Sequence, residues 1–477
     1  MPPSHPITIV TKPFDHQYEM IDWLEERSDE GGLIGATMGA GKTLVAIHYA
    51  ANFIESTPRT TLFIAPKSVA PQVLKQYKQH INAPEHYAYL YTGPSRDRSL
   101  LKKALFVITT WDTLMNEYKQ HITGKLSPLF TRHFDACFAD EAHIIKNNKS
   151  IRHKAACAIN ASTKWPITGT PFLNANTDLA ALAHFIDVPP YNNYSYWSTG
   201  DVDKKYREWS SSSYLFVDKQ KLYRALKLPP KNFYTHHLPM TPKQQDVYNM
   251  LKQESAETVE SFLDGTVTIG FADVLSKITR LMQISIHVNV VHDSDYAIKT
   301  CDHSSAKFDK VIDIINATPS DEKVIIFSKY TKALVLLKEF LQFEIDGDAL
   351  LFHGGLSSTE RQTILDDISL PHNKVILMQI HSGGVGIDVI RPNHAIMLDP
   401  WWNQPIEDQA IDRIYRPGQT RPVHVHRLYS TDSVDMWILA MQHLKLAQAN
   451  TALLGHKKSG PTKDEVRSLY ELHLRPS

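Results

Sequence analysis

The chain has 477 residues, enough for two or three domains with ample core, and its apolar and charged shares (42% and 21%) are those of a globular protein rather than a disordered one. Lys plus Arg and Asp plus Glu number 51 each, so no global basic field marks a polyanion binder, and a nucleic-acid site has to be a local patch. The three cysteines, Cys137, Cys157 and Cys301, stand far apart without CxxC spacing, which argues against a disulfide framework or a zinc site and fits a reducing compartment.

The start, Met1-Pro-Pro-Ser-His-Pro, lacks a charged region followed by an apolar one, and no window reaches the length of a membrane span. The chain therefore reads as soluble and intracellular, with no membrane partner. Pro13-Phe-Asp-His-Gln17 reads as a turn into an amphipathic helix. The Gln17 amide can bond an adenine edge or simply begin that helix, and spacing alone leaves both open.

Between Leu33 and Thr170, short apolar runs alternate with amphipathic stretches: Leu33-Ile-Gly, Thr61-Leu-Phe-Ile-Ala, Leu105-Phe-Val-Ile-Thr, Asp135-Ala-Cys-Phe-Ala and Trp165-Pro-Ile-Thr. Such runs, separated by helical patterns, predict a parallel sheet with crossover helices. A second series follows at Val324-Ile-Ile-Phe, Ala349-Leu-Leu-Phe, Val375-Ile-Leu-Met, Ala395-Ile-Met-Leu and Val423-His-Val-His. The fold class is α/β, with two lobes. Residues 1–188 form the first lobe, 189–304 an aromatic, Ser/Lys-rich and mainly helical linking region, 305–455 the second lobe, and 456–477 a tail or short terminal helix.

After the run at Leu33 comes Ala36-Thr-Met38-Gly39-Ala40-Gly41-Lys42-Thr43, then a helical pattern. Glycines let backbone N–H groups wrap a polyphosphate, Lys42 brings a point charge to the outer phosphates, and the Thr43 hydroxyl suits Mg²⁺. Ala36 stands where the usual loop begins with Gly, and a bare Gly-Lys-Thr also fits an ordinary helix start. Asp140-Glu141 follows an apolar run, so two carboxylates sit at the C-terminal end of a strand, the edge where α/β sheets bind ligands. Asp140 suits Mg²⁺, held through water, and Glu141 suits the base that orients and deprotonates an attacking water. A solvated acidic turn is the alternative, and the upstream glycine loop weighs against it. Near the far end, Gln409, Arg413 and Arg416 fall at helical spacings of four and three, which predicts one face of a helix carrying two phosphate-seeking arginines.

These motifs, in order, resemble the Swi/Snf-type ATPases of helicase superfamily II. Pro13 to Gln17 resembles the adenine-reading Q motif, Met38 to Thr43 the P-loop, and Asp140-Glu-Ala-His-Ile-Ile-Lys-Asn147 the extended acidic box that separates this branch from ordinary DEAH-box helicases. Thr168-Gly-Thr-Pro171 with Asn174, Lys323 to Lys329, His353 to Gln362, Gly383-Gly-Val-Gly386-Ile-Asp388, Trp402-Asn403 and Gln409 to Gln419 continue the series. The chain departs from the family at Ala36-Thr37, His381 and Asp388, positions tied to coupling and DNA contact more than to ATP chemistry.

The resemblance implies two RecA-like P-loop lobes with ATP between them and Mg²⁺ as cofactor. Gln17, Met38, Gly39, Ala40, Gly41, Lys42, Thr43, Gly386 and Asp388 would bind the nucleotide. Thr43 and Asp140 would hold the metal, and Lys42, Asp140, Glu141, Arg413 and Arg416 would carry catalysis. Double-stranded DNA is the implied partner, gripped by its backbone without sequence preference through Lys67, Thr110, Lys146, His353, Gly354, His381, Gly383 and Trp402. Trp111, beside Thr110, reads better as a core or lobe-interface aromatic because large aromatics usually bury, whereas Trp402 fits either reading. The implied activity is ATP-driven translocation on duplex DNA. Rival readings are strand separation of DNA or RNA, and a nucleotide-gated subunit of a nuclease, methylase or repair complex. A protein partner in replication, repair, recombination or restriction fits, and the compact chain suggests a stand-alone motor in a bacterial or virus-infected cytoplasm.

Overall fold

The structure is a computed structural model that describes residues 7–36, 39–56, 60–169, 176–217, 222–223, 226–265, 270–291, 305–345, 347–368, 370, 373–380, 389–402, 404–451 and 463–474. The main division of the chain into two compact units falls between Lys227 and Leu228.

The first unit contains β1 (Thr8–Ile9), β2 (Leu33–Ala36), β3 (Thr61–Ala65), β4 (Ile81–Asn82), β5 (Ala88–Tyr91), β6 (Phe106–Thr110), β7 (Phe134–Ala139), β8 (Ala161–Thr168) and β9 (Tyr214–Val217). β1 and β4 form a small antiparallel pair, and the remainder make a parallel sheet in the order β5-β6-β3-β7-β8-β2-β9. Strands covered on both faces must be apolar almost throughout, as β3 is: all five of its residues are buried. Alternation then sorts them by size. Leu62 and Ile64 join one core cluster, while Phe63 faces the other way into a ladder with Phe106 and Phe138 that continues to Trp165. Tyr49, from the helix Lys42–Ser56, meets Phe138 edge-on at 5.8 Å, so this helix covers that face.

The boundary expected at 188 requires correction. Trp197 and Trp209 are buried in the first unit's core with their rings 6.1 Å apart, and β9 lies parallel to β2 as the edge strand. The aromatic composition that read as a linker is that of a core flank. Downstream, β10 (Lys231–Leu238) and the helices Pro242–Asp264 and Phe271–Ile286 belong to the second unit. The described residues of 189–304 include five helices, and the segment gives each sheet an edge strand.

The second unit adds β11 (Val324–Ser328), β12 (Ala349–Phe352), β13 (Val375–Gln379), β14 (His394–Met397) and β15 (Val423–Ser430) to β10, in the parallel order β10-β15-β14-β11-β13-β12. A fully buried ion pair ties its helices together. Lys307 Nζ donates to Asp435 Oδ2 at 2.7 Å and to the Leu398 carbonyl at 3.0 Å, while Ser285 Oγ and the Ser430 N–H donate to the same carboxylate. Buried charge is tolerable only when so fully bonded. The terminal helix Lys463–Leu469 buries Val466 and Leu469 in this unit's core.

Candidate nucleotide site and phosphate-contacting loops

In the first unit, the loop after β2 turns twice through left-handed backbone, at Gly39 (φ 82°) and Gly41 (φ 72°), before the helix Lys42–Ser56 begins. The turn positions Lys42 so that Nζ donates to the Ala36 carbonyl at 2.9 Å, folding the lysine back over the loop. Thr43 is in the first helical turn. Glycine is needed at 41 for a second reason: a Cβ there would lie 1.9 Å from Gln17 Nε2.

Gln17 is buried and takes the helix-start role of the two left open by its spacing. Its Oε1 accepts from the Phe14 N–H at 2.9 Å, capping the helix Asp15–Glu26, and its Nε2 donates to the Ala40 carbonyl at 3.3 Å. His16 Nε2 reaches the same carbonyl at 3.2 Å and must donate, since a carbonyl only accepts. His16 was not among the expected site residues; its place beside Gln17 was the only signal.

Asp140 follows β7, and its backbone is held from two sides. Its N–H donates to the Ile64 carbonyl at 2.8 Å, and its carbonyl accepts from Trp111 Nε1 at 3.0 Å. Trp111 is thus a buried core aromatic that braces the acidic pair. Glu141 has left-handed backbone (φ 51°, ψ 46°), uncommon for a side chain of its size, and its carboxylate is 3.1 Å from His143 Nδ1. The Asp140 carboxyl is pushed up to about 7, first by enclosure in protein and then by the adjacent Glu141 charge, with Lys42 pulling the other way. A divalent cation would relieve the repulsion between the adjacent Asp140 and Glu141 carboxylates, and the Asp140 carboxylate and Thr43 hydroxyl are hard oxygen donors, so both fit Mg²⁺.

The expected DNA contacts divide. Lys67 is exposed at the end of β3, and Lys146 is half-buried just after the turn that follows the acidic pair. Thr110 requires correction: it is 3% exposed, and its hydroxyl caps the helix Trp111–His121 by accepting from the Thr113 N–H at 3.2 Å. In the second unit, His353 and Gly354 begin an exposed loop after β12. Gln379 accepts from the Gly354 N–H, and Arg361 donates to the Gly354 and Leu356 carbonyls. Trp402 is half-buried, edge-on to Trp437 at 4.9 Å. Glu407, which sequence reasoning missed, shapes the backbone before it by accepting from the Trp401 N–H at 2.8 Å.

The arginines do not share a helix face with Gln409. The helix Gln404–Ile411 ends before them and tightens into turns, with Arg413 N–H bonded to Ala410 and Ile414 N–H to Ile411. Gly418, at φ 100°, ends the run, and the Gln419 amide gathers it: Nε2 donates to the carbonyls of Ile390, Pro392 and Ile414, while Oε1 accepts from the N–H groups of Thr420 and Arg421. Arg413 is buried and Arg416 partly exposed. Met38, Thr170, Pro171, Asn174, His381, Gly383, Gly386, Asp388 and Asn403 lie outside the described residues.

A glycine loop at the end of β2 and an acidic pair at the end of β7, on one parallel sheet, define a P-loop ATPase. The SNF2-related domain matches residues 16–290 and the helicase conserved C-terminal domain residues 306–418. The chain belongs to the SNF2-related family of helicase-like ATPases. A probable global transactivator of Orgyia pseudotsugata multicapsid polyhedrosis virus is 30% identical over 91% of this chain and 90% of its own length. The DNA repair protein RAD5 of Yarrowia lipolytica is 24% identical over 90% of this chain and 56% of its own, so the chain spans about half the length of that repair protein. The solved SWI2/SNF2 ATPase core of Sulfolobus solfataricus in complex with dsDNA is 23% identical, covering 98% of this chain and 96% of that one, with a TM-score of 0.43. Among the described residues, no helix is long and apolar enough to cross a membrane.

Proposed function

We propose that the chain is an ATP-driven motor that binds duplex DNA through its backbone and translocates along it. The supporting observation is the convergence of Gly39–Thr43 and Asp140–Glu141 at one sheet edge, in a chain whose family match runs through both units. In this reading Gln17 and the loop hold ATP, Lys42 faces its outer phosphates, and Glu141 takes the proton of the attacking water. Thr43 and Asp140 would hold Mg²⁺, which neutralises phosphate charge when bound. Arg413 and Arg416 make turnover depend on the second unit, which lets hydrolysis drive movement. Lys67, Lys146, His353 and Gly354 are the proposed backbone contacts, together with His381 and Gly383. The name of the repair relative supports DNA as the track, and the viral source of the other supports an infected cell as the setting.

ATP hydrolysis measured side by side with duplex DNA, single-stranded DNA and RNA tests the proposal. Duplex DNA should stimulate most, and the chain should displace a third strand from a triplex without unwinding a tailed duplex. Negligible turnover under all conditions, or efficient unwinding, would overturn it.

A further inference from the structure

Away from the nucleotide site, three helices of the first unit bring together two histidines, a cysteine and a tyrosine. His153 and Cys157 lie four residues apart on the helix Ile151–Cys157, so both face the same way; His184 comes from the helix Asn176–Ile186 and Tyr194 from Tyr194–Ser198. One donor atom from each of His153, Cys157 and His184 lies within 4.8 Å of the other two. Cys157 Sγ is 3.3 Å and Tyr194 Oη 2.8 Å from His153 Nε2. They line an open cavity of about 440 Å³.

The histidine tautomers are fixed by chemistry. His153 Nδ1 is 2.8 Å from the Ile145 carbonyl and His184 Nδ1 is 2.6 Å from the Asn192 carbonyl. A carbonyl cannot donate, so each Nδ1 carries the proton and each Nε2 keeps its lone pair. Imidazoles oriented through Nδ1–H to a backbone carbonyl are the usual outer support of metal-ligating histidines.

We propose that His153 Nε2, His184 Nε2 and the Cys157 thiolate bind a divalent transition cation of the zinc class, with the Tyr194 hydroxyl at the fourth position. Two nitrogens and a sulfur are the donor set such a cation prefers over hard ions. Tetrahedral bonds of ordinary length need donors about 3.3–3.7 Å apart; the Cys157–His153 separation of 3.3 Å already meets this, the wider spread to His184 closes with side-chain movement, and the 2.8 Å Tyr194–His153 hydrogen bond opens as the ion replaces it. Metal binding would displace the thiol proton. The ion would brace the turn Ala142–Ile145 after the acidic pair, because His153 holds that turn through Ile145.

The test uses the untagged, metal-stripped full chain titrated with Co²⁺ and then Zn²⁺. One equivalent of Co²⁺ should bind with a thiolate-to-cobalt charge-transfer band and intense tetrahedral visible bands, and Zn²⁺ should displace it. Cys157→Ser should abolish the charge-transfer band. His184→Gln should weaken binding more than about 100-fold, beyond the usual cost of losing an outer-shell partner. Zn²⁺ should raise the melting temperature of the wild-type chain and not of His184→Gln. Absence of the band in the wild-type chain, or equal binding by wild type and both variants from adventitious histidines, would overturn the proposal. If either variant misfolds, the wild-type spectrum still decides.

Discussion

Gln17 Nε2 donates to the Ala40 carbonyl at 3.3 Å, which joins the N-terminal helix to the phosphate loop. The loop can pass this close only because residue 41 has no Cβ and takes φ 72°. Gly41→Ala should fold but distort the loop, by about 1–3 kcal/mol of backbone strain, and raise KM for ATP at least tenfold. Gln17→Ala loses one or two modest hydrogen bonds, so its KM should rise only several-fold. Steady-state hydrolysis against ATP concentration separates the two, and a wild-type KM in Gly41→Ala would refute this reading of the loop.

The legible parts of the fold were those where one residue type has one physical use. The parallel strands β3, β7, β11 and β13, and the half-buried β12, are largely apolar runs, and each lies where its run predicts. β10 escaped because it mixes Lys231, His236 and His237 with its aromatics, and β9, although Tyr214-Leu-Phe-Val217 is apolar, because it follows a Ser-rich helix end and leaves Phe216 exposed at the sheet edge. The glycine loop and acidic pair were legible because their chemistry is local. The histidine–cysteine cluster was not, because its ligands come from separate helices and the cysteine spacing tests only for thiolate-rich sites. Nor was the end of the helix before Arg413, after which the Gln419 amide gathers the carbonyls of Ile390, Pro392 and Ile414 from parts of the chain that spacing does not connect.

Glu141 is separated from its neighbours in role by its backbone. At φ 51° it turns out of the β7 end while the Asp140 backbone stays braced by Trp111, an arrangement that suits the separate tasks proposed for the two carboxylates. Glu141→Gln keeps the size of the side chain and removes the base. Turnover should fall about 10²–10⁴-fold with ATP binding retained, read by single-turnover hydrolysis and fluorescent-nucleotide titration. Full activity in this variant would end the assignment of Glu141 as base.

Between the two arginines, Arg416 is the cleaner probe, because Arg413 is 3% exposed and its loss also disturbs packing. Arg416→Ala should lower DNA-stimulated kcat by about 10³-fold or more, with the melting temperature unchanged. Gln419→Ala should behave differently. It strips three carbonyls and two N–H groups of their partner, so it should destabilise the second unit by about 1–3 kcal/mol and reduce turnover through disorder of the loop. Denaturation and kinetics measured on both variants distinguish a chemical loss from a structural one.

The second sheet contains a histidine stack that makes its stability depend on pH. His394, His424 and His426 stack across β14 and β15, Tyr234 stacks on His426 at 4.8 Å, and His236 Nε2 lies 3.1 Å from His426 Nδ1. Burial first, then the charges of His236, His394, His424 and Lys310, lower His426 to about 4; burial also lowers His236 and His394, although Glu322 lies 2.7 Å from His394 and opposes it. An unfolded histidine takes a proton near its ordinary value of about 6.5, whereas the folded His426 resists protonation until about 4. The unfolded state therefore binds more protons between these values, and stability falls as pH falls through that window. After discounting for solvent screening, His426 should contribute about 1–2 kcal/mol to this loss. His426→Phe keeps a ring against Tyr234 and cannot titrate, so its melting temperature should change less between pH 7.5 and 5 than that of the wild-type chain, whereas parallel pH profiles for the two would show that the stack does not titrate as described.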